Sequence, residues 1–450
     1  MKCNKFIIVI IAIFGGLFTA SAEMRTSYFM EGSYFRTELN PALAPTRGYI
    51  ALPVLSGVGV GINNNFISVD NFIYNRDGHT VTAYDGRVSA SEFLSRLPKK
   101  GHLSQTTNLN ILGVGFYDKH DMFWNFGVNV HIGGDVTIGK EFFELTKQLG
   151  NGHRDFSSAA FDATAYTELY LGWNMDVLDF VTIGAKLKGL IGIMNISGSF
   201  SDMTANVGSD SISAFLRGNL RGSGIMTSDG YLVGDDMDLD RMLTLISVTP
   251  KFENLKSGGF AVDLGAEVRL FDDHLKVSAA ITDLGFIKWS DQGAVATDMA
   301  FDITYKGFDL NAGEADFNGG EGSFKIAKPA AYTRRLNTTL NVGAEYNVLD
   351  NHIGFGLLSH TEFHPIYTSS ELTASVNFRP SKWFTATLSH TLCNRNAPGV
   401  FGFALNLHPR GLNLFVGMDY IDTSFVRYSG VVIPKRLKSF NTYFGLGFNL

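Results

Sequence analysis

The chain has 450 residues, which is enough for two or three soluble domains or for one large β-barrel. Only 18% of the residues are charged, whereas glycine (49 residues) and phenylalanine (37 residues) are abundant; soluble domains usually carry about 25% charged residues. The mildly acidic net charge of −6 argues against nucleic-acid binding, and no apolar run in the body of the chain is long enough for a membrane-spanning helix.

The chain begins with the features of a secretory signal peptide. Two lysines precede an apolar stretch from Phe6 to Phe18, and Ala20-Ser21-Ala22 provides a small-x-small cleavage site. The apolar stretch is shorter than the roughly 20 residues that a spanning helix needs. We therefore expect residues 1–22 to be a cleaved signal peptide and Glu23 to start the exported chain.

Residues 23–46 show no strand pattern. They contain the tripeptide Asn40, Pro41, Ala42, and a proline at this point would interrupt a strand ladder. We expect these residues to form an N-terminal periplasmic segment at the entrance of a barrel or inside its lumen, and residues 47–450 to form the barrel itself.

Most of the remaining chain alternates apolar and polar residues with a period of two, which is typical of strands with one polar face. In the last stretch, Ser439 to Leu450, phenylalanines and leucines share one face, and amides, glycines and a tyrosine share the other. About fourteen strands are predicted near residues 47–62, 103–117, 122–132, 161–173, 180–193, 260–270, 275–287, 337–348, 353–361, 371–379, 383–391, 400–408, 412–421 and 439–450.

The connections between these strands alternate in length. Short turns fall near Lys119, Asp176, Asp273, Asp350, Pro380 and Pro409, all at one end, whereas long connections cover residues 63–102, 194–256 and 289–334. Outer-membrane barrels have short periplasmic turns and long extracellular loops. The sequence therefore predicts an all-β fold, a transmembrane antiparallel β-barrel with long extracellular loops.

Smaller features accompany this pattern. Trp124, Trp173 and Trp383 lie near short turns, where an aromatic girdle is expected, and Trp289 lies at the opposite end. The loops are predicted to be irregular apart from a helical turn at 91–97, a short helix at 140–149 and a hairpin within 301–317.

The polar faces of the predicted strands carry charged residues that are candidates for the lumen wall. These side chains either line a solute path or pair with one another across strands and stabilise the wall. The candidates are Asp162, Glu168, Lys186, Lys188, Asp263, Glu267, Arg269 and Glu345.

Two further stretches contain residues of the kinds that bind metals. Residues 234–240, which are rich in aspartate, suit calcium, but they lack the glycine and distal glutamate of a calcium-binding hand loop, so a solvated loop or an acidic first helical turn is the alternative. His360, Glu362 and His364, at the rim of a loop, lack the HExxH spacing of a zinc site. We expect no metal, no cofactor and, without a GxSxG elbow or phosphate loop, no enzymatic activity.

Several segments together resemble known sequences: FRTELNPALAP, KEFFELTKQLGNG, AYTELYLGWN followed by VTIGAKLKGLIG, TDLGFIKW and the closing SFNTYFGLGFNL. Through them the chain resembles an uncharacterised family of Gram-negative outer-membrane β-barrel proteins. Through Asn40 to Ala42 it is distantly similar to the FadL-like fatty-acid transporter superfamily, which includes the shuttle component of type IX secretion. The resemblance implies a fourteen-stranded barrel with an N-terminal segment in its lumen.

From these observations we expect an outer-membrane channel or transporter for small hydrophobic compounds in a Gram-negative bacterium, with residues 23–46 as a plug. The alternative is a non-transporting scaffold that binds a partner or secreted protein through the large loops. A membrane-embedded hydrolase would need serine, histidine and carboxylate side chains at the rim. Expected partners are outer-membrane lipid, the barrel-assembly machinery through the C-terminal strand, and a hydrophobic small molecule or a surface protein.

Overall fold

The computed structural model describes residues 25–52, 57–147, 152–207, 212–224, 256–291, 295–309, 314–319, 323–327, 330–394, 399–428, 431–434 and 439–450. Within these residues the fold is a closed antiparallel β-barrel of fourteen strands, so the predicted fold class is confirmed. The signal peptide predicted over residues 1–22 lies outside the described residues.

Every barrel strand pairs with the next one along the chain, and the first strand pairs with both the second and the last, which closes the ring. The strands are β1 (Tyr49–Ala51 and Val58–Asn64), β2 (Lys100–Tyr117), β3 (Phe123–Gly139), β4 (Ala160–Leu178), β5 (Val181–Val207), β6 (Ser257–Leu270), β7 (Leu275–Trp289), β8 (Tyr332–Arg335 and Thr338–Val348), β9 (Ile353–Phe363), β10 (Thr368–Ser381), β11 (Phe384–Asn394), β12 (Phe401–Leu407), β13 (Asn413–Ile421) and β14 (Ser439–Asn449).

The period-two pattern of the sequence separates the two faces of the wall. Large apolar side chains on neighbouring strands point outward and are 42–56% exposed, among them Phe126, Leu169, Leu187 and Phe260. Polar residues of the alternate face are buried, among them Asn129, Glu168, Lys188 and Asp263. In the described part of the chain, no helix has the length and apolar character required to cross a membrane.

The six short turns lie at one end of the barrel, which we call the turn end, and the long connections lie at the other, the loop end. The start of β1 and the end of β14 meet at the turn end, where the Leu450 amide donates a hydrogen bond of 2.9 Å to the Gly48 carbonyl. Trp383 is exposed beside a short turn, as predicted. Trp289 differs, because it is almost completely buried and packs against Leu190 and Ile287.

Residues 25–46 lie inside the lumen and fill its turn-end half; we call them the plug. The plug contains a 3-10 turn (Arg25–Ser27) and one short helix, α1 (Arg36–Leu39). Nearly all of its side chains are buried against the wall. The chain descends to the turn end at Glu31, turns back towards the middle of the lumen at Asn40, and leaves at Thr46.

The first long connection is more ordered than predicted. It contains α2 (Val69–Phe72), a hairpin (Ile73–Arg76 with His79–Thr82) and α3 (Ala90–Ser95), and a later connection adds α4 (Glu141–Lys147). Ser68 and Ser89 cap α2 and α3 through their side chains. α3 and α4 correspond to the helices predicted near residues 91–97 and 140–149, whereas α2 and the hairpin were not predicted. The pieces share an apolar core around Phe93 and Phe143.

The wall continues beyond the barrel at the loop end. The outer part of β5 pairs with two further strands, Gly152–Asp155 and Ile212–Ser223, and the latter pairs with Val295–Asp309. That strand pairs in turn with Glu314–Gly319 and Ser323–Ala327, so the hairpin predicted within 301–317 is confirmed. A separate hairpin joins Phe425–Tyr428 to Val431–Pro434.

Candidate functional site in the lumen

The plug is held in the middle of the lumen by its Asn40-Pro41 corner. Asn40 donates through Nδ2 to the Tyr28 hydroxyl (3.0 Å) and accepts at Oδ1 from the Ala42 amide (2.9 Å). Gly184 of β5 and Gly265 of β6 are cross-strand partners, and a Cβ at either one would overlap this corner. The two glycines therefore form a notch in the wall that accommodates the plug.

Wall side chains bond the backbone of the same corner. Asn174 donates to the Pro41 carbonyl (3.0 Å), and Asn341 donates to the Leu39 carbonyl (2.9 Å). Buried carbonyl groups need such partners when they leave regular structure. The plug is thus docked by specific hydrogen bonds and not only by apolar packing.

At the turn end an ion pair holds the plug. Lys276 Nζ lies 2.5 Å from Glu31 Oε1, and Asn351 Nδ2 donates to Glu31 Oε2 (3.0 Å). Burial raises the pKa of the Glu31 carboxyl. The positive charges of Lys276, Arg379 and Arg36 together lower this pKa by a larger amount, so that it falls from 4.5 to about 2. Glu31 is therefore ionised at any physiological pH.

Three of the predicted lumen residues come together in one charged cluster. Lys188 Nζ lies 2.9 Å from Asp263 Oδ2 and 3.5 Å from Glu168 Oε2. It also contacts Asp283 Oδ1 at 2.7 Å, and Glu168 Oε2 lies 3.1 Å from His131 Nε2. One ammonium group, Lys188 of β5, thus faces three carboxylates that come from β4, β6 and β7.

The other predicted residues are distributed along the lumen. Lys186 is fully buried, and its Nζ lies 2.9 Å from Glu38 Oε1 of the plug and over the ring of Tyr170 on the neighbouring wall strand β4. Asp162 pairs with Arg334 towards the loop end, and Glu345 lies 2.6 Å from Arg379 Nη2 towards the turn end. Glu267 and Arg269 lie 3.7 Å apart at the turn end, where Arg269 also contacts Asp176 (3.1 Å).

Above the plug, towards the loop end, the lumen contains a chamber of about 130 Å³. The chamber borders charged groups, amides and hydroxyls as well as aromatic rings, so its lining is amphipathic. Its charged and aromatic lining residues include Arg25, His131, Asp162, Tyr166, Asp283, Trp289, Arg334, Glu362, His364 and Tyr420.

The His360, Glu362, His364 stretch lies inside the lumen and not at an exposed rim. His360 Nε2 lies 3.1 Å from Glu362 Oε1, and His364 Nε2 lies 2.8 Å from Glu362 Oε2. Arg25 Nη2 lies 2.5 Å from Glu362 Oε1. Among the described residues no group of three or more histidine, cysteine or acidic side chains is arranged to hold a metal. The calcium alternative at residues 234–240 lies outside the described residues.

Sequence reasoning missed several residues of the chamber. Tyr420 and Asp283 have positive φ (62° and 57°) at irregularities of the strand pairing, so each lies inside beside an inward neighbour, Asp419 or Thr282. Strict alternation would place one residue of the neighbours Asp419 and Tyr420, and one of Thr282 and Asp283, on the outer face of the wall. Arg25 lies in a segment without periodicity, where no sequence signal indicates its wall partners.

The chain is similar in structure to several solved barrels at low identity. The toluene transporter TodX of P. putida is 9% identical with a TM-score of 0.39, covering 93% of this chain and 94% of TodX. The toluene transporter TbuX of Ralstonia pickettii is 9% identical with a TM-score of 0.40, covering 96% and 95%. The translocator domain of the autotransporter NalP from Neisseria meningitidis is 8% identical with a TM-score of 0.27, covering 96% and 100%.

No curated protein matches the sequence. The model of a protein family of unknown function, DUF5723, matches residues 41–419. This match covers most of the barrel and begins at the plug's Pro41. The chain therefore belongs to the DUF5723 family of unknown function.

Proposed function

We propose that the protein is an outer-membrane channel of a Gram-negative bacterium that binds a small solute in the chamber and releases it inward when the plug moves. The observation that carries this proposal is the arrangement along one axis: a closed barrel, a chamber towards the loop end, and a plug that fills the lumen below it. A barrel with a purely structural role needs no chamber next to a segment that closes its lumen.

The apolar outer wall supports the membrane location. Exposed leucines and phenylalanines cover the outward face of strands whose inward face is polar, which is the pattern of barrels embedded in lipid. The turn end then faces the periplasm and the loop end faces outward.

The lining of the chamber favours a solute with polar groups. It is less suited to the purely hydrophobic compound that the FadL-like resemblance implies. Ion pairs such as Arg334 with Asp162 border the chamber, and amides and hydroxyls lie between them. A purely apolar ligand would displace water from these groups without replacing its hydrogen bonds, which is unfavourable. Tyr166 and Trp289 add apolar area for the body of such a solute.

The test is a reversible lock on the plug. The Thr26 and Ser389 hydroxyl oxygens lie 2.7 Å apart, so cysteines at these positions are placed for a disulfide between plug and wall. In a Cys393→Ser background, the Thr26→Cys/Ser389→Cys variant in planar bilayers should conduct little when oxidised and regain conductance on reduction. The Thr26→Cys single variant is the control. Equal conductance in both redox states would overturn the proposal.

A scaffold function is the second candidate, and one observation favours it. The loop end carries an ordered sheet beyond the barrel, built on β5 and the strands Ile212–Ser223 and Val295–Asp309. Replacing residues 200–250 by a short linker should abolish capture of a surface partner if this sheet is a docking platform, while conductance through the barrel should persist. A variant that retains the partner excludes docking on this segment. Lipid and the barrel-assembly machinery remain predicted partners.

A further inference from the structure

The plug's first described residue, Arg25, is bound in a well-formed cation site. Its guanidinium lies 2.5 Å from Glu362 Oε1 and 3.0 Å from Glu371 Oε1. The guanidinium carbon also lies 5.3 Å from the centre of the Tyr420 ring. Two carboxylates and an aromatic face are the groups that recognise guanidinium and ammonium ions in proteins.

The wall itself holds this site in shape. The Tyr420 hydroxyl donates to Glu371 Oε2 (2.7 Å), and His360 and His364 contact the two oxygens of Glu362. Tyr420 reaches the lumen because its backbone has a positive φ of 62°, a strained conformation that is kept where the surroundings require it. The carboxylates and the ring therefore come from β9, β10 and β13, and only the cation comes from the plug.

The position of the site distinguishes it from the other plug anchors. Arg25, Glu362 and Tyr420 all line the chamber, so a solute in the chamber can reach the Glu362 carboxylate and the Tyr420 ring, and Glu371 lies on the other side of the Arg25 guanidinium. The ion pairs of Glu31 with Lys276 and of Glu38 with Lys186 do not line it. An anchor that only fixes the plug does not need to lie beside the solute chamber.

We propose that Glu362, Glu371 and Tyr420 form the binding site for a guanidinium or ammonium group of the transported solute, and that Arg25 occupies this site as a built-in substitute until the solute displaces it. The inference rests on the proposed channel function, for which it names the substrate class. Without Arg25 the buried carboxylates of this site are left without that cation, which is costly, so the vacated site favours a replacement cation.

The test measures binding of methylguanidinium chloride to the purified full-length barrel by calorimetry. Arg25→Ala should bind it at least about tenfold more tightly than the wild-type protein, because a tethered competitor acts at an effective concentration of about millimolar or higher. Arg25→Lys, which retains a cation, should bind as weakly as the wild type. Sodium propionate and toluene should bind neither protein at this site.

Two further variants define the site. Arg25→Ala/Glu362→Gln/Glu371→Gln should lose the gain in affinity. Lys276→Met is the matched control, since it weakens a plug anchor that does not border the chamber and should bind methylguanidinium like the wild type. If Arg25→Ala is poorly folded, its thermal unfolding temperature should rise with methylguanidinium and not with sodium chloride at equal concentration.

Absence of tighter binding to Arg25→Ala, or tight binding retained by the triple variant, would overturn the inference. The two proposals fail separately. If Arg25→Ala gains affinity but the reduced Thr26→Cys/Ser389→Cys variant does not conduct, the cation site stands and the channel function falls. If the disulfide lock controls conductance but no variant gains affinity, the channel stands and the cation site falls.

Discussion

At the scale of single residues, the lumen is organised by buried charges that have partners. Arg379 is an example, since its Nη2 donates to the Phe29 carbonyl of the plug (2.8 Å) and to Glu345 Oε1 (2.6 Å). Burying an unpaired charge is strongly unfavourable, so each such pair restricts how plug and wall can be arranged. The pairs that join the wall to the plug restrict the position of the plug most.

His364, in the connection after β9, provides a pH prediction. Burial lowers the pKa of this imidazole, but Asp135 and Glu362 raise it more, and the resulting pKa is about 10 against 6.5 for an ordinary histidine. His364 also contacts Tyr367 and Asn337. A raised pKa in the folded state stabilises the protein fully below about pH 6.5, and this stabilisation is lost as pH rises towards 10.

Thermal unfolding in detergent checks this expectation. The wild-type barrel should lose stability progressively between about pH 6.5 and pH 10, and His364→Gln should be less stable at pH 6 and show a flatter dependence over that window. His120→Gln, in an exposed short turn, is the control and should retain the wild-type slope. A wild-type profile that is flat up to pH 10 would contradict the assignment of a charged His364.

At the scale of elements, the fit between plug and wall depends on glycines at set positions in neighbouring strands. Gly184 and Gly265 leave room for the Asn40-Pro41 corner, and Gly343 and Gly356 leave room for Phe29. Glycine in a strand commonly marks a close approach by another chain segment. The spacing of small residues on β5, β6, β8 and β9 therefore matches the path of the plug.

Gly265→Leu should displace the plug without preventing barrel formation, because the new side chain would overlap Asn40. Conductance in planar bilayers should rise several-fold over the wild type. Gly189→Leu is the matched control, since a Cβ at Gly189 on β5 meets only the Leu169 carbonyl at 3.9 Å. Low conductance in both variants would show that the notch does not hold the plug in place.

At the scale of the whole molecule, the barrel combines a closed ring of strands with an apolar outer wall. Fourteen paired strands leave no edge in the barrel ring, so backbone groups are satisfied within the wall. The outward face of β4 to β6 presents Leu169, Leu187 and Phe260, which would be unfavourable in water. The proposed membrane location provides a lipid environment for this face.

Leu187→Arg should reduce assembly into lipid vesicles more than Leu270→Arg. Leu187 lies six residues into β5, near the middle of the apolar band, whereas Leu270 ends β6 at the turn end. A charge costs about 2–4 kcal/mol at the bilayer midplane and about 0–1 kcal/mol near its surface. The folded fraction on unboiled SDS gels measures the difference, and equal losses would argue against this placement in the membrane.

The sequence alone determined the fold, because alternation with period two is a local property that each strand carries whatever its neighbours are. The fourteen strands, the common side of the short turns and the separate character of residues 23–46 all follow from it. The order of apolar and polar residues in Met122 to Ile132 is sufficient to predict which residues of that strand face outward and which face the lumen.

The tertiary structure alone decided which lumen residues meet. Glu362 and Glu371 are on different strands, Tyr420 is on a third, and Arg25 comes from a segment more than 300 residues away. Their convergence depends on strand register, on the irregularity that turns Tyr420 inward, and on the path of the plug. None of these is local, because each is set by packing between segments that alternation leaves independent.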